Sequence, residues 1–261
     1  MQNVINTLQA LEAISERQPI GVGELSRVLG LPKTTVQRCL TSLAEAGWIR
    51  PSEGELTRWI LTTKPLVVGI RASGQYGLKD AALPIMQRLR AQVNETTNLT
   101  IYEGAYAVLI ERLDSTHAVR TFAPLGVRAP LHASAAGRAI LSALPEEALN
   151  DVLGAPLASY TPHTRTDPAA IRDEVMKIRE RGFAFANSEW NDGVVAVAAP
   201  IVLRTRDLTS RPGGVLGAIS VSGPVFRMAA ERLFELGPQL AEAAREIAAS
   251  IEGSHQGRTT F

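Results

Sequence analysis

The sequence contains a single cysteine, Cys39, so no internal disulfide can form and no cysteine-rich zinc module can be built. Charge of one sign is also lacking. Lys and Arg number 27 against 26 Asp and Glu, and a net charge of +1 advertises no polyanion binding by the molecule as a whole. Apolar runs such as GVVAVAAPIVL fall well short of the roughly 20 residues a bilayer-spanning helix needs. The opening MQNVINTLQALEAI has neither the basic start nor the cleavage site of a signal peptide. No His-Glu-x-x-His pair organises His117, His132, His163, Asp114, Asp167, Glu189 and Asp192 into a metal site. Short repeats are absent, and only the small, polar GSHQGRTTF at the end reads as low-complexity and disordered. These absences lead us to expect a cytoplasmic protein with no membrane partner and no cofactor.

The 261 residues, 45% apolar and 20% charged, suffice for two compact domains with ordinary cores. Val4, Ile5, Leu8, Leu11 and Ile14 recur at helical spacing, and Gln18-Pro19-Ile20-Gly21 breaks the pattern. A short helix carrying Leu25, Val28 and Leu29 then ends at Gly30, which can take a left-handed conformation. Leu31-Pro32 opens a third helix, with proline suited to its first position. Val36, Leu40 and Leu43 form its apolar face, beside which Cys39 reads as a structural thiol. Gly47 ends it. Trp48-Ile49-Arg50, the turn Ser52–Glu55 and the stretch Leu56–Leu61 read as a hairpin.

This order is that of a winged helix-turn-helix over residues 1–63, whose third helix enters the DNA major groove by its N-terminal end. Lys33 and Arg38 can neutralise phosphates, and Arg38 or Gln37 can pair with base edges. Thr34 and Thr35 can bond phosphates or cap the helix, and Arg50 and Arg58 on the wing suit phosphate contact. Residues 1–63 carry as many acids as bases. Yet no acidic residue falls between Glu24 and Glu45, while Arg27, Lys33 and Arg38 do.

Residues 64–78, including LVVGIRAS, read as a linker helix, and they form the only covalent path between the halves. From Lys79 a helix carries Ala82, Ile85, Met86, Leu89 and Val93 at helical spacing. NLTIYEG and YAVLIERL alternate as paired strands, and Ala118–Ala123 is a candidate third. Pro168–Arg181 forms a further helix, VVAVAAPIVL and GGVLGAISVSG are buried strands, and the last helix runs from about Phe226 to Ile251. The expected class is α+β, with an antiparallel sheet in a sensor-like domain over residues 79–253 and a disordered tail over 254–261. Small residues crowd GVRAPLHASAAGRAIL, GFAFANSEWNDGVVAVAAPI and GAISVSGP, and small residues let a ligand approach the backbone. Ser134 is placed to cap a helix starting at Ala135, whose N-terminus suits a carboxylate.

Taken together, LPKTTVQRCLTSLAEAGWI, GVRAPLHASAAGRAILSAL, GFAFANSEWNDGVVAVAAPI and GVLGAISVSGP, in this order, resemble the signatures of the IclR family of bacterial transcriptional regulators. The resemblance extends from Val4 to about Ile251. It implies a winged helix-turn-helix, a linker helix and a non-catalytic GAF-like effector-binding domain. It implies homodimers or tetramers on pseudo-palindromic operator DNA that respond to small metabolites, often carboxylates or aromatic acids. By position it places the effector site at Ala129, Ser134, Ala135, Ala136, Ala186, Ala196, Ser220 and Ser222. Leu61-Thr62 stands where many members have Leu-Gly, and Ala129, Ala186 and Ala196 are smaller than their counterparts in some members. The roomier, less polar pocket this leaves suits an aromatic ring better than a two-carbon acid.

An enzyme reading stays beside this one. His132, Ser134 and Glu189 invite a hydrolase triad, although Leu131-His132-Ala133-Ser134-Ala135 lacks both glycines of a nucleophile elbow. Tyr160-Thr161-Pro162-His163-Thr164 reads equally as a lid over the pocket or a surface loop.

Overall fold

The computed structural model describes residues 1–54, 56–73, 77–204 and 212–256, with side chains for all of these except 70–73 and 255–256. The chain divides into two compact units, Met1–Gln75 and Tyr76–Phe261.

The first unit contains α1 (Gln2–Arg17), α2 (Val22–Leu29), α3 (Lys33–Glu45), the strands β1 (Ile49–Pro51) and β2 (Trp59–Leu61), and α4 (Lys64–Ser73). Gly30 closes α2 at φ 64°, a left-handed conformation that costs glycine little. The Ser26 hydroxyl donates to Leu31 O across 2.6 Å and tightens the turn into α3. Pro32 takes the N-cap position of α3 and not its first helical position, and no side chain caps that helix. Thr34 and Thr35 therefore lie inside the first turn, and the capping role considered for them is not realised.

Ala10, Ala13 and Ile14 of α1 pack with Leu25, Val36, Cys39, Leu40 and Leu43 into one core. Of the expected stripe on α1, Leu11 and Ile14 join this core and Val4, Ile5 and Leu8 do not. The small Ala10 and Ala13 face the domain, whereas Val4, Ile5 and Leu8 remain 64%, 44% and 54% exposed. The hairpin is shorter than its pattern suggested. The return strand starts at Trp59 and not at Leu56, and the Trp59 N–H and carbonyl bond to Ile20 and not to Pro51. Thr62, at the departure from Leu-Gly, starts the linker helix: its hydroxyl accepts from Lys64 N at 3.1 Å and donates to Gly47 O at 2.8 Å.

The second unit contains α5 (Leu78–Val93), β3 (Thr96–Glu103), β4 (Tyr106–Leu113), β5 (Arg128–Pro130), α6 (Ala135–Ala143), α7 (Glu146–Gly154), α8 (Pro168–Arg181), β6 (Ala184–Asn187), β7 (Val194–Val202), β8 (Val215–Pro224) and α9 (Ala230–Gln256). The strands form a six-stranded sheet in the order β5-β4-β3-β8-β7-β6, each neighbouring pair antiparallel. Alternation along the strands sends Leu99, Val195, Val197, Ile219 and Val221 to one face, where they pack against α5 and α9. The other face carries Ala107, Ala129, Ala186 and Ala198, which pack with α6 and α8.

Several expectations need correction. Ala118–Ala123 is not a strand; the third strand is β5, and residues 114–127 form a loop. Side-chain bonds hold that loop in place of a ladder, the Thr96 hydroxyl donating to Thr121 O at 3.1 Å. The last helix starts at Ala230 and not near Phe226, because Arg227 N and Met228 N bond back to Pro224 O in a turn. The same helix runs to Gln256, so residues 254–256 of the expected tail are helical; 257–261 lie outside the described residues, as does Glu55 of the wing turn. The helix α7 and the strand β6 were not anticipated.

Gly217 lies where β8 meets β3. A Cβ there would sit 2.8 Å from Thr100 C and 2.9 Å from Ile101 Cα, both backbone atoms that cannot swing aside. Gly217→Ala is expected to cost about 2 kcal/mol or more. A lower urea midpoint at unchanged slope would show this; an unchanged midpoint would contradict it.

Candidate functional site

Ser134 has an extended backbone, and its hydroxyl accepts from Gly137 N at 3.0 Å while donating to Pro130 O at 2.8 Å. It is the N-cap of α6. Gly137 makes this approach possible, since a Cβ there would lie 2.5 Å from Leu131 O. The amides of Ala135 and Ala136, first in the helix, donate to nothing among the described residues. Such amides, with the helix dipole behind them, favour an anion.

They open on a cavity of about 230 Å³ between α6 and the alanine-bearing face of the sheet. All of the effector positions inferred from the resemblance, Ala129, Ser134, Ala135, Ala136, Ala186, Ala196, Ser220 and Ser222, line it. Other lining residues were not anticipated: Thr96, Asn98 and Thr100 of β3, Thr121 and Phe122 of the loop before β5, and Trp190 and Asn191 of the turn before β7. A signal for the first three was present in the sequence. Alternation places Thr96, Asn98 and Thr100 on one face of a strand, an unusual polar row for a covered sheet. Among the described residues no lysine or arginine lines the cavity.

The serines differ in state. Ser220 is 5% exposed and its hydroxyl has no partner among the described residues. Ser222 is engaged by Asn98 Nδ2 at 3.2 Å and Thr121 Oγ1 at 2.9 Å. A buried hydroxyl beside empty space is costly unless something in that space bonds to it.

Glu189 also lines the cavity and pairs at 2.6 Å with Arg138 of α6, their side chains 6% and 0% exposed. Burial lowers the Arg138 pKa from its ordinary value, and the Glu189 charge opposes the shift. Arg165 approaches the other Glu189 oxygen at 3.4 Å. Thr161 and Thr164 hydroxyls donate to Ser188 O and Glu189 O, each at 2.6 Å. The Tyr160–Thr164 stretch therefore straps the outside of the cavity wall and does not line the cavity.

The triad does not assemble. The Ser134 proton is committed to Pro130 O, His132 Nε2 lies 2.9 Å from Ala158 O, and Glu189 is paired with arginine. Nor is there, among the described residues, a group of His, Cys, Asp and Glu able to hold a metal ion.

In the first unit, Lys33, Thr34, Gln37 and Arg38 are exposed on α3, while Thr35 is half-buried. Arg50 is exposed on β1. Arg58 is exposed too, but it donates to Pro19 O at 2.9 Å and lies 3.7 Å from Glu24, which partly offsets its charge.

Residues 4–53 match the model of the IclR helix-turn-helix domain, and residues 71–249 match that of the bacterial transcriptional regulator IclR C-terminal domain. The chain belongs to the IclR family. The transcriptional repressor IclR of Escherichia coli is 31% identical over 97% of this chain and 91% of its own length. The acetate operon repressor of Salmonella typhimurium is likewise 31% identical, over 97% and 91%. An IclR homolog from Microbacterium hydrocarbonoxydans, solved in complex with 4-hydroxybenzoate, superposes with a TM-score of 0.79 at 26% identity, over 96% of this chain and 99% of that one. As a member of the IclR family, this chain is a ligand-responsive DNA-binding transcriptional regulator and not an enzyme. Among the described residues no helix is long and apolar enough to cross a membrane.

Removing one partner of the buried Arg138–Glu189 pair strands the other charge. Arg138→Ala or Glu189→Ala is expected to cost about 3–5 kcal/mol, whereas replacing both by methionine should cost much less. Chemical denaturation of the three variants checks this, and additive losses would refute the pairing.

Proposed function

We propose that the cavity binds a small organic carboxylic acid bearing one aromatic ring, and that this binding sets the affinity of the first unit for operator DNA. The observation that carries the reading is that the Ala135 and Ala136 amides and the buried Ser220 hydroxyl, all without a partner among the described residues, surround one cavity. The amides suit a carboxylate without a lysine or arginine. Alanines at 129, 186 and 196 leave room for a ring. An apolar cavity of about 150 Å³ holds benzene, and about 230 Å³ accommodates a ring with a carboxylate attached. The 4-hydroxybenzoate complex of the Microbacterium homolog supports the same ligand class.

In this reading Lys33, Thr34, Thr35, Gln37 and Arg38 meet the major groove, and Arg50 and Arg58 meet the flanking phosphates. Exposed apolar Val4, Ile5 and Leu8 on α1 support self-association into a dimer or a dimer of dimers. A two-fold dimer presents paired recognition helices to a pseudo-palindrome. The protein works in the bacterial cytoplasm. The ligand acts by binding unequally to states of different operator affinity.

Fluorescence anisotropy against DNA from upstream of the protein's own gene, with scrambled competitor and a salt series, tests the DNA reading. Arg38→Ala should weaken specific binding by about tenfold or more; unchanged affinity removes Arg38 from the contact set. Ser222→Leu should abolish the response to benzoate-class acids while sparing operator binding. A response to glyoxylate or pyruvate, with none to any aromatic acid, would overturn the ligand class.

A further inference from the structure

Three polar contacts meet where β3 and β8 line the cavity. Asn98 Nδ2 lies 3.2 Å from Ser222 Oγ, Ser222 Oγ lies 2.9 Å from Thr121 Oγ1, and Thr121 Oγ1 lies 3.2 Å from the Ser222 carbonyl oxygen. Each contact needs a proton of its own. The carbonyl can only accept, so the Thr121 hydroxyl donates to it. The Ser222 hydroxyl must then donate to Thr121. The remaining proton, between Asn98 and Ser222, has to come from the Asn98 amide nitrogen. Turning the amide over would leave three contacts sharing two protons. The network itself therefore orients Asn98, with Oδ1 directed away from Ser222 and accepting from nothing among the described residues.

Asn98 stands beside Ser220 in the β3–β8 register, and both line the cavity. The Ser220 hydroxyl can donate or accept, whereas Asn98 Oδ1 can only accept. At α6 the reverse holds, because the Ala135 and Ala136 amides can only donate. The cavity thus offers bare donors from the helix and a bare acceptor from the sheet, besides Glu189, whose carboxylate is paired with Arg138. A ligand that fills it with an acid group alone leaves the acceptor desolvated and unpaired, and an unmet polar group costs more than a met one gains.

We infer that Asn98 is a specificity-determining residue that accepts a hydrogen bond from a hydroxyl or N–H of the ligand, so that the effector is a hydroxylated or amino-substituted acid and not the bare ring acid. The inference rests on the carboxylic-acid reading of the cavity. It assigns to Asn98 the selection among acids, while the helix amides serve all of them alike.

Isothermal titration of the full chain with benzoate, 3- and 4-hydroxybenzoate, the matching aminobenzoates and the matching methoxybenzoates tests it. In the wild type at least one hydroxy or amino acid should bind about tenfold or more tighter than both benzoate and its methoxy counterpart. In Asn98→Leu, which keeps the branching at Cγ and removes the acceptor, that ratio should fall to about one through loss of affinity for the donor-bearing acid alone. Asn98→Ala replaces the leucine variant should the latter melt early, and the wild-type preference for hydroxyl over methoxy is read without any variant. Equal wild-type affinities, or a parallel weakening of every acid in the variant, would overturn the role of Asn98 and leave the acid site standing. Binding of none of these acids to the wild type would overturn both.

Discussion

The seating of α6 against the sheet is the constraint on which the second unit depends. Ser134 spends its proton on Pro130 O and its lone pair on Gly137 N, and Gly137 lets the helix approach the Leu131 backbone. Arg138, one residue on, is tied to Glu189 across the interior. With the helix start held there, the Ala135 and Ala136 amides have no partner among the described residues and open on the cavity. Larger side chains at Ala129, Ala186 or Ala196 would fill that space.

The same sheet serves opposite purposes on its two faces. Toward α5 and α9 its residues are Leu, Ile and Val, which build a continuous core. Toward α6 the central strands carry hydroxyls and an amide, flanked by alanines. Alternation with a period of two lets one strand serve both: Leu99 is wholly buried toward the first core while its neighbours Asn98 and Thr100 line the cavity. Stability can therefore be supplied by one layer while the other keeps polar groups only partly matched, as a binding site requires.

The first unit follows a different economy. Its α1–α3 core is small, and Ala10 and Ala13 fill the contact that the larger Val4, Ile5 and Leu8 were expected to make. The helical period of α1 was plain from the sequence, but the phase of its buried face was not, because an alanine stripe and a leucine stripe have the same period. Hydropathy favoured the larger residues throughout; close helix packing kept Leu11 and Ile14 and used the smaller ones elsewhere. The return strand of the wing likewise starts at Trp59, later than the run Leu56–Leu61 suggested.

Local chemistry sufficed for much of this protein. The Gly30 stop, the Ser134 cap, the Pro168–Arg181 helix and the buried strands β7 and β8 each depend on neighbours a few residues away, and each was legible as written. Tertiary structure alone decided what rests on distant pairs. Thr121 meets Ser222 and Thr96 across more than a strand, so a loop stands where local pattern suggested β structure. Glu189 meets Arg138, which turns a candidate catalytic carboxylate into half of a buried ion pair. Asn98 and Ser222 are 124 residues apart, and only the β3–β8 register brings them together to orient an amide. Local sequence determines backbone conformation because its forces act within a turn or a strand; the donors and acceptors left unpaired around a cavity are settled only when remote strands have chosen their register.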